Sequence, residues 1–376
     1  RSALSAQALP LVAPGAAPAS AMAAPLGSCG RCCACDGPGA GICLLGQAVS
    51  LCNAGASIFS KVLSDNGVRV PMSQVFLFYS LLTLILGITA AAQGQTRCQA
   101  RAQGMPQLRF FWLTALFDVE ANFCMLLAIR YTSLTSAFLL GSGGVLPFVL
   151  VIGTVVLGQR YRPVHLVATL LALAGYAVVV YADVGSDDDE APSPVLGDLL
   201  CALAAALFAC SSIGQEALLA EGCSPAALLR RMQPAAASLS GAQVLLLGSA
   251  ELPHFWALLL APFGAGAPLL AASASLVLMY ALAPLVISRG GAAFFNVSLL
   301  TANLYGSLWA LVRFGEVVSP LKAAGFAAVF AGLLTFHAAG PPAMNTETPA
   351  MALLQDAPAV LEPPCGAPAG RRAAPA

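Results

Sequence analysis

The chain has 376 residues, of which 59% are apolar and 9% are charged, and its mean hydropathy is +0.82. This composition leaves too little polar surface to cover a water-soluble globular protein, so we expect an integral membrane protein. The formal net charge is zero and the chain has no Lys/Arg-rich block, which argues against nucleic acid as a partner.

Residues 1–40 mix Ala, Pro, Ser and Gly, and we expect them to form a disordered cytoplasmic tail. The tail contains a group of closely spaced cysteines: Cys29, Cys32, Cys33 and Cys35. Because a structural zinc needs four ligands and this cluster has no matching second one, we predict no metal and no cofactor. Acylation of these cysteines stays open beside an unmodified tail.

Ten apolar runs follow, and their length and lack of strict alternation favour membrane-spanning helices over barrel strands. The predicted spans are 43–63, 73–92, 108–130, 133–157, 163–182, 195–219, 227–249, 267–287, 292–314 and 320–337. The predicted fold class is therefore all-α integral membrane, with about ten transmembrane helices.

A faint internal repeat divides these helices into two groups of five. Gly158-Gln159 and Gly175 have counterparts in Gly315-Glu316 and Gly332 at the same separation. We predict a first five-helix repeat at 41–182, an acidic linker at 183–194, a second repeat at 195–337 and a disordered C-terminal tail at 338–376. Since five is odd, the second repeat must enter the membrane from the opposite side, as in transporters built from inverted repeats.

The distribution of charge between the loops predicts which way the helices run. With a cytoplasmic N-terminus, the cytoplasmic loops contain Arg97, Arg101, Arg109, Arg160, Arg162, Arg230, Arg231 and Arg289. The opposite loops contain fewer basic residues and an acidic run from Asp187 to Glu190. This asymmetry follows the positive-inside rule and places both termini in the cytoplasm. The endomembranes (Golgi or ER) and the plasma membrane stay open as the location.

Two carboxylates lie in the middle of the third predicted span. On a helix, Asp118 and Asn122 share one face, while Glu120 points about 200° away from Asp118. Ionisable groups at membrane depth are costly and usually mark a solute pathway. We expect the Asp118 and Asn122 face to line the pathway, with a fixed bond between helices as the alternative for each acid.

Further polar and aromatic side chains in the spans are candidates for contact with a solute. They are Gln47, Tyr79, Phe138, Gln215, Glu216, Tyr280, Asn303 and Tyr305. They come from both predicted repeats, as a site between repeats requires. Glu216 lies near a helix end, so a solvated carboxylate is an equal alternative to contact with a solute. For the aromatic residues the alternative is packing between helices or anchoring at the membrane interface.

The fourth span is interrupted by small residues and a proline, namely Gly141, Gly143, Gly144 and Pro147. We interpret them as a hinge that lines a cavity, with close helix packing as an equal alternative. A serine hydrolase built on Ser142 and His165 is not favoured because the G-x-S-x-G pattern is absent, so we predict no catalytic residues.

Several blocks occur in an order that is similar to one known family. They are Gly46-Gln47 with Ser50-Leu51, Pro71-Met72 with Gln74, Phe76 and Tyr79 to Leu82, Asp118 to Asn122, Tyr131 to Ser136, Arg160 to Arg162 with His165, and Asn296 to Tyr305. Over residues 43–337 the chain resembles solute carrier family 35, F branch, of the drug/metabolite transporter superfamily. The resemblance implies ten helices in two inverted repeats that work by alternating access.

The expected function is secondary transport of a small polar organic solute, either nucleoside- or nucleobase-like or a nucleotide sugar. A less charged solute is favoured, because the spans offer almost no Lys or Arg for a dianion. Where relatives carry carboxylates, this chain has Gly141 and Asn303, which argues against proton coupling at those positions. A non-transporting scaffold or receptor is the alternative, and both monomer and homodimer stay open.

Overall fold

The computed structural model describes residues 38–66, 68, 70–92, 108–128, 131, 138–183, 194–260, 263–314 and 319–343. The first five helices of this part are α1 Pro38–Asp65, α2 Pro71–Ala92, α3 Leu108–Ala128, α4 Val145–Leu157 and α5 Pro163–Asp183. The remaining helices are α6 Pro194–Ala220, α7 Pro225–Leu247, α8 Leu252–Leu260, α9 Phe263–Leu299, α10 Ala302–Phe314 and α11 Pro320–Ala338. The predicted all-α class is confirmed for the described residues.

Proline and serine mark where many of these helices begin. Six of them, including α5, α7 and α11, start at a proline, whose missing N–H would have no intrahelical partner there. Before α7 the Ser224 hydroxyl accepts a hydrogen bond from the backbone N–H of Ala227 at 3.3 Å. Ser319 caps α11 in the same way, accepting from the N–H of Lys322 at 3.2 Å.

Within the described residues, five helical segments are long and apolar enough to cross a membrane. They are Ala40–Ser60, Pro71–Ala92, Val195–Ala220, Gly266–Leu299 and Pro320–Ala338. Pro225–Leu247 with Ser249–Leu260 makes a sixth if this pair, bent by 85°, is counted as one span. These segments support a multi-pass membrane protein, whereas the total of ten spans stays a prediction.

The structure differs from the predicted spans in the second half of the chain. The boundary predicted between 287 and 292 is a kink and not an extended loop, because α9, Phe263–Leu299, consists of two helical segments that meet at Gly291. At Gly291 φ is +81° and ψ is 167°, a conformation that favours glycine. The predicted span 292–314 is divided by a turn at Leu300 and Thr301. The short helix α8 was not predicted, because it lies between two predicted spans.

Small residues let the helices approach closely. A Cβ added to Gly175 of α5 would lie 2.7 Å from the carbonyl oxygen of Gly325 in α11. A Cβ added to Gly332 of α11 would lie 2.7 Å from the carbonyl oxygen of Ala168 in α5. Without hydrophobic attraction between helices in lipid, such close van der Waals packing holds them together.

Some predicted regions lie outside the described residues. These are residues 1–37, with the cluster at Cys29, Cys32, Cys33 and Cys35, the linker residues 184–193, and residues 344–376.

The chain after α11 is described through Ala343, whose carbonyl oxygen accepts a hydrogen bond from the Arg160 N–H at 2.8 Å. His165 of α5 also contacts this segment, with Nε2 2.8 Å from the Gly340 carbonyl oxygen.

We expect Gly175→Ala to destabilise the contact between α5 and α11. The added carbon would approach backbone atoms of α11, and such overpacking typically costs about 1 to 3 kcal/mol. The melting temperature of the detergent-solubilised protein should therefore fall. Gly87→Ala is the control, because a Cβ there would meet nothing within 4 Å and Ala favours helix. Equal melting temperatures for the two variants would contradict this description of the contact.

Candidate functional site

Asp118 of α3 lies at the centre of a buried cluster of polar side chains. Its side chain is only 4% exposed. The Tyr79 hydroxyl of α2 donates a hydrogen bond to Oδ2. The Ser211 hydroxyl of α6 donates to Oδ1 at 3.1 Å, and the Gln215 amide, one turn further along α6, donates to the Ser211 oxygen at 3.3 Å.

Asn122 extends this cluster to a fourth helix. Its amide nitrogen lies 3.3 Å from the Tyr79 hydroxyl and 3.2 Å from the Tyr280 hydroxyl of α9, and the two hydroxyls are 3.4 Å apart. The same nitrogen donates to the Asp118 carbonyl oxygen at 2.8 Å. We call Tyr79, Asp118, Asn122, Ser211, Gln215 and Tyr280 the central polar cluster.

Aromatic rings form one wall of the central polar cluster. The Phe78 ring centroid lies 4.0 Å from that of Tyr79 and 4.9 Å from that of Tyr280. The two tyrosine rings meet edge to face at 5.6 Å. These distances are typical of favourable aromatic pairs, so the packing of the rings fixes the directions of the two hydroxyls.

Glu120 does not take part in the central polar cluster. Its carboxylate accepts a hydrogen bond from the Gln243 amide of α7 at 2.9 Å. The two acids of α3 therefore face different neighbours, Asp118 towards α2 and α6 and Glu120 towards α7.

Glu216 occupies a second buried cluster, one turn beyond Ser212 on α6. The Gln159 amide donates to Oε1 at 2.7 Å, and the backbone N–H of Ala292 donates to Oε2 at 3.0 Å. Ala292 directly follows the break at Gly291, so the carboxylate accepts from an N–H at the start of a helical segment. The side chain is 8% exposed, which contradicts the alternative of a solvated carboxylate at a helix end.

Tyr161 completes the Glu216 cluster from the loop between α4 and α5. Its hydroxyl donates to the Gln159 side-chain oxygen. Burial, and secondarily the negative charge of Glu216, raises the pKa of Tyr161. The phenol consequently keeps its proton, and each donor along Tyr161, Gln159 and Glu216 points towards the carboxylate.

Gln47 of α1 lies in a third cluster, beside the turn that separates α9 from α10. Its side-chain oxygen accepts from Tyr305 at 2.8 Å and from Thr301 at 3.1 Å. The Ser50 and Thr301 hydroxyl oxygens are 2.8 Å apart. The Gln47 amide nitrogen is buried without a hydrogen-bond partner among the described residues, and such a group calls for a water, an ion or a ligand.

The glycines of the fourth span are closely packed. A Cβ added to Gly141 would lie 2.6 Å from the Met125 sulfur, and one added to Gly143 would lie 2.8 Å from the Tyr176 ring. These residues belong to a π-helical turn, Phe138–Gly143, that ends before α4. Gly144 precedes that helix and Pro147 lies in its first turn, where a missing N–H breaks no hydrogen bond.

Three side chains that the sequence analysis discussed as candidates lie outside the described part of the structure. They are the side chains of Phe138, Ser142 and Asn303. The ring of His165, the other residue of the disfavoured hydrolase, binds backbone groups. Its Nδ1 accepts from the Arg162 N–H at 3.1 Å, so Nε2 carries the proton and donates to Gly340.

Comparison with known proteins identifies the family. The sequence model of the protein family named solute carrier family 35 matches residues 41–338. The chain belongs to this family. Solute carrier family 35 member F2 of Mus musculus is 30% identical over 304 residues, covering 78% of this chain and 77% of its own. The Xenopus tropicalis member F2 is 29% identical and covers 78% of this chain and 75% of its own.

A more distant relative and one solved structure are also similar to this chain. An uncharacterized solute carrier family 35 member of Schizosaccharomyces pombe is 27% identical, over 78% of this chain and 57% of its own length. A crystal structure of a protein matches the fold with a TM-score of 0.61 at 19% identity, covering 79% of this chain and 96% of that one. The resemblance to the F branch is confirmed, and the chain is a solute transporter of the drug/metabolite superfamily.

The sequence analysis missed several side chains that donate hydrogen bonds to carboxylates. Ser211, Gln159 and Gln243 were not predicted to be site residues, although each bonds a carboxylate. A signal was available for Ser211, which precedes Gln215 by four positions and so shares its helix face. Gln159 and Gln243 gave no such signal, because their partners lie far away in the chain.

Ser211→Ala should destabilise the protein by removing one donor to Asp118. Hydrogen bonds between membrane helices contribute about 0.6 to 1.7 kcal/mol, so we expect a measurable loss in a denaturant titration. Ser288→Ala is the matched control, because the Ser288 hydroxyl is exposed and bonds the Leu285 carbonyl of its own helix. A loss at Ser288 as large as that at Ser211 would count against the cluster.

Gln159→Glu should destabilise the protein, since it places a second carboxylate against Glu216 at a buried site. We expect a loss of about 3 kcal/mol or more, because an uncompensated buried charge is costly. Adding Glu216→Gln to the same chain restores one acid and one amide, and unfolding measurements should recover most of the loss. Failure of the double variant to recover stability would show that the two side chains do not interact.

Proposed function

We propose that the protein moves a small, uncharged or weakly charged organic solute with hydrogen-bond donors across the membrane by alternating access. A nucleoside- or nucleobase-like solute is favoured over a nucleotide sugar. The observation that carries the proposal is the central polar cluster, in which α2 and α3 of the first half meet α6 and α9 of the second around one carboxylate.

The positions of the helices support two repeats of five spans each. The helices α4 and α10 have 13 residues each, and their first residues, Val145 and Ala302, are 157 positions apart. The first residues of α5 and α11, Pro163 and Pro320, are separated by the same 157 positions. A common offset for two successive helices is the pattern that a duplicated segment produces.

Contacts between the halves support an inverted arrangement of these repeats. With the offset of 157, Ala168 corresponds to Gly325 and Gly175 to Gly332. Gly175 approaches Gly325, and Gly332 approaches Ala168, so exchanging the halves leaves the contact unchanged. The packing of α1 on α9 and of α3 on α6 is exchanged in the same way, while α2 packs on α7. These relations are those of a two-fold axis between two repeats.

The chemistry of the central polar cluster supports the class of solute. The described side chains that bond Asp118 are hydroxyls, with the Asn122 amide beside them and no Lys or Arg. A single carboxylate in a site of low dielectric repels an anion such as a nucleotide sugar. A solute that donates hydrogen bonds instead of Tyr79 and Ser211 keeps the carboxylate satisfied, and its ring can stack on the aromatic wall.

The position of the Glu216 cluster supports the proposed alternating access. It ties the loop between α4 and α5 to α6 and α9, at the end of the molecule that carries Arg160 and Arg162. In the proposed orientation this end and both termini are cytoplasmic. Opening a path there requires Gln159 to leave Glu216, so we propose that this cluster closes the cytoplasmic gate in the described conformation.

Uptake into proteoliposomes tests the proposal. We expect radiolabelled nucleosides and nucleobases to accumulate, and Asp118→Asn to lower the uptake rate by about tenfold or more, equivalent to about 1.4 kcal/mol. Glu120→Gln is the matched control, because it makes the same chemical change on the same helix outside the central polar cluster. Its uptake should stay within about twofold of the unmodified protein.

Three outcomes would contradict the proposal. Equal losses for the two variants would show that the central polar cluster has no special part in transport. Uptake of nucleotide sugars alone would contradict the proposed solute class. A folded protein that takes up none of these solutes, nor any from a fractionated metabolite extract, would favour the scaffold or receptor.

A further inference from the structure

We infer that a groove between α3 and α7 binds one anionic phospholipid, an inference that rests on the proposed membrane crossing of α3. The groove has a volume of about 390 Å³. Its lining consists of Leu108, Arg109, Trp112, Leu113, Leu116 and Leu239.

The apolar side chains that line the groove form a stripe along α3. Leu108, Trp112 and Leu116 are spaced by four residues and form one continuous stripe, with Leu113 beside it. From Leu108 to Leu116 the stripe is about 12 Å long, at 1.5 Å per residue. Trp112 is 42% exposed, so its ring is available to an occupant. This stripe offers an acyl chain a path that runs along the helix into the membrane.

The charge at the start of the groove is positive. The Arg109 guanidinium is exposed at the first turn of α3, 5.0 Å from the Phe110 ring centroid. The first turn of α3 contains no acidic residue, and the N-terminus of a helix itself favours negative charge.

An anionic phospholipid matches both properties at once. Its headgroup would lie at Arg109, and its acyl chain would follow the stripe towards Leu116. A free phosphate would leave the apolar lining uncovered, and a zwitterionic lipid has no net negative charge for Arg109 to attract. Because α3 belongs to the first proposed repeat and α7 to the second, the bound lipid would bridge the parts that move against each other.

Tryptophan quenching by brominated lipids tests this inference. The chain has three tryptophans, so replacing Trp256 and Trp309 by Phe leaves Trp112 as the only reporter. This variant is reconstituted in phosphatidylcholine vesicles that contain a small mole fraction of brominated phosphatidylserine or, separately, brominated phosphatidylcholine. We expect an apparent preference of about fivefold for the brominated phosphatidylserine, the factor provided by one arginine near an anionic headgroup.

Two further variants make the result specific. Arg109→Gln in the Trp112 reporter should abolish the preference while leaving the melting temperature unchanged, since Arg109 is exposed. A reporter with Trp256 as its only tryptophan, 57% exposed on α8, should be quenched equally by both lipids. A preference at Trp112 that survives Arg109→Gln would overturn the headgroup contact.

The remaining outcomes separate this inference from the proposed topology. Equal quenching of Trp112 by both lipids would overturn the lipid site while leaving α3 in the membrane. Trp112 that neither lipid quenches, with Trp256 quenched, would overturn both the site and the membrane crossing of α3.

Discussion

A carboxylate inside a membrane protein is stable only when other helices bring hydrogen-bond donors to it, and this constraint holds the two halves of the chain together. Insertion of an acidic residue at membrane depth costs about 2.5 to 3.5 kcal/mol. Asp118 receives its donors from Tyr79 of α2 and Ser211 of α6. Glu216 of α6 receives them from Gln159 and from the backbone of α9. Each acid is therefore satisfied only while segments from both halves are in contact, so a change in either acid's partners is coupled to the relative position of the halves.

Local regularities made part of this structure predictable. The predicted spans 163–182, 195–219 and 320–337 agree closely with α5, α6 and α11, because hydropathy and an initial proline mark these helices independently of the rest of the fold. The relation between Asp118 and Asn122 was likewise available from the helical period, and the structure brings both to Tyr79. The opposite direction of Glu120 followed from the same period.

The features that sequence reasoning missed depend on partners far apart in the chain. Glu216 is buried because Gln159, 57 positions earlier, and Ala292, 76 positions later, satisfy its two oxygens. The break in α9 at Gly291 belongs to the same arrangement, since a Cβ at Gly291 would lie 3.0 Å from the Glu216 carboxylate. Periodicity along one helix contains no information about such contacts. Arg289 was predicted to lie in a loop between spans, whereas the structure has only a kink at Gly291 between two helical segments of α9.

The proposed repeats are similar in backbone and different in polarity, and this difference is where recognition of a solute has to arise. By the offset of 157 positions, Gly144 corresponds to Thr301. A Cβ at Gly144 would lie 2.1 Å from the Leu140 carbonyl oxygen and 3.4 Å from the Ala205 side chain, so no side chain fits there, whereas Thr301 bonds Ser50 and Gln47. Two identical halves would present the same groups to a solute from either side and could not fix its orientation. Polar groups that have no polar counterpart in the other repeat, such as Thr301 opposite Gly144, supply that orientation, and the amide nitrogen of Gln47, without a partner among the described residues, lies beside Thr301. In the proposed function, the symmetric contacts of α5 with α11 would serve the movement between conformations, and the asymmetric clusters around Asp118 and Gln47 would select the solute.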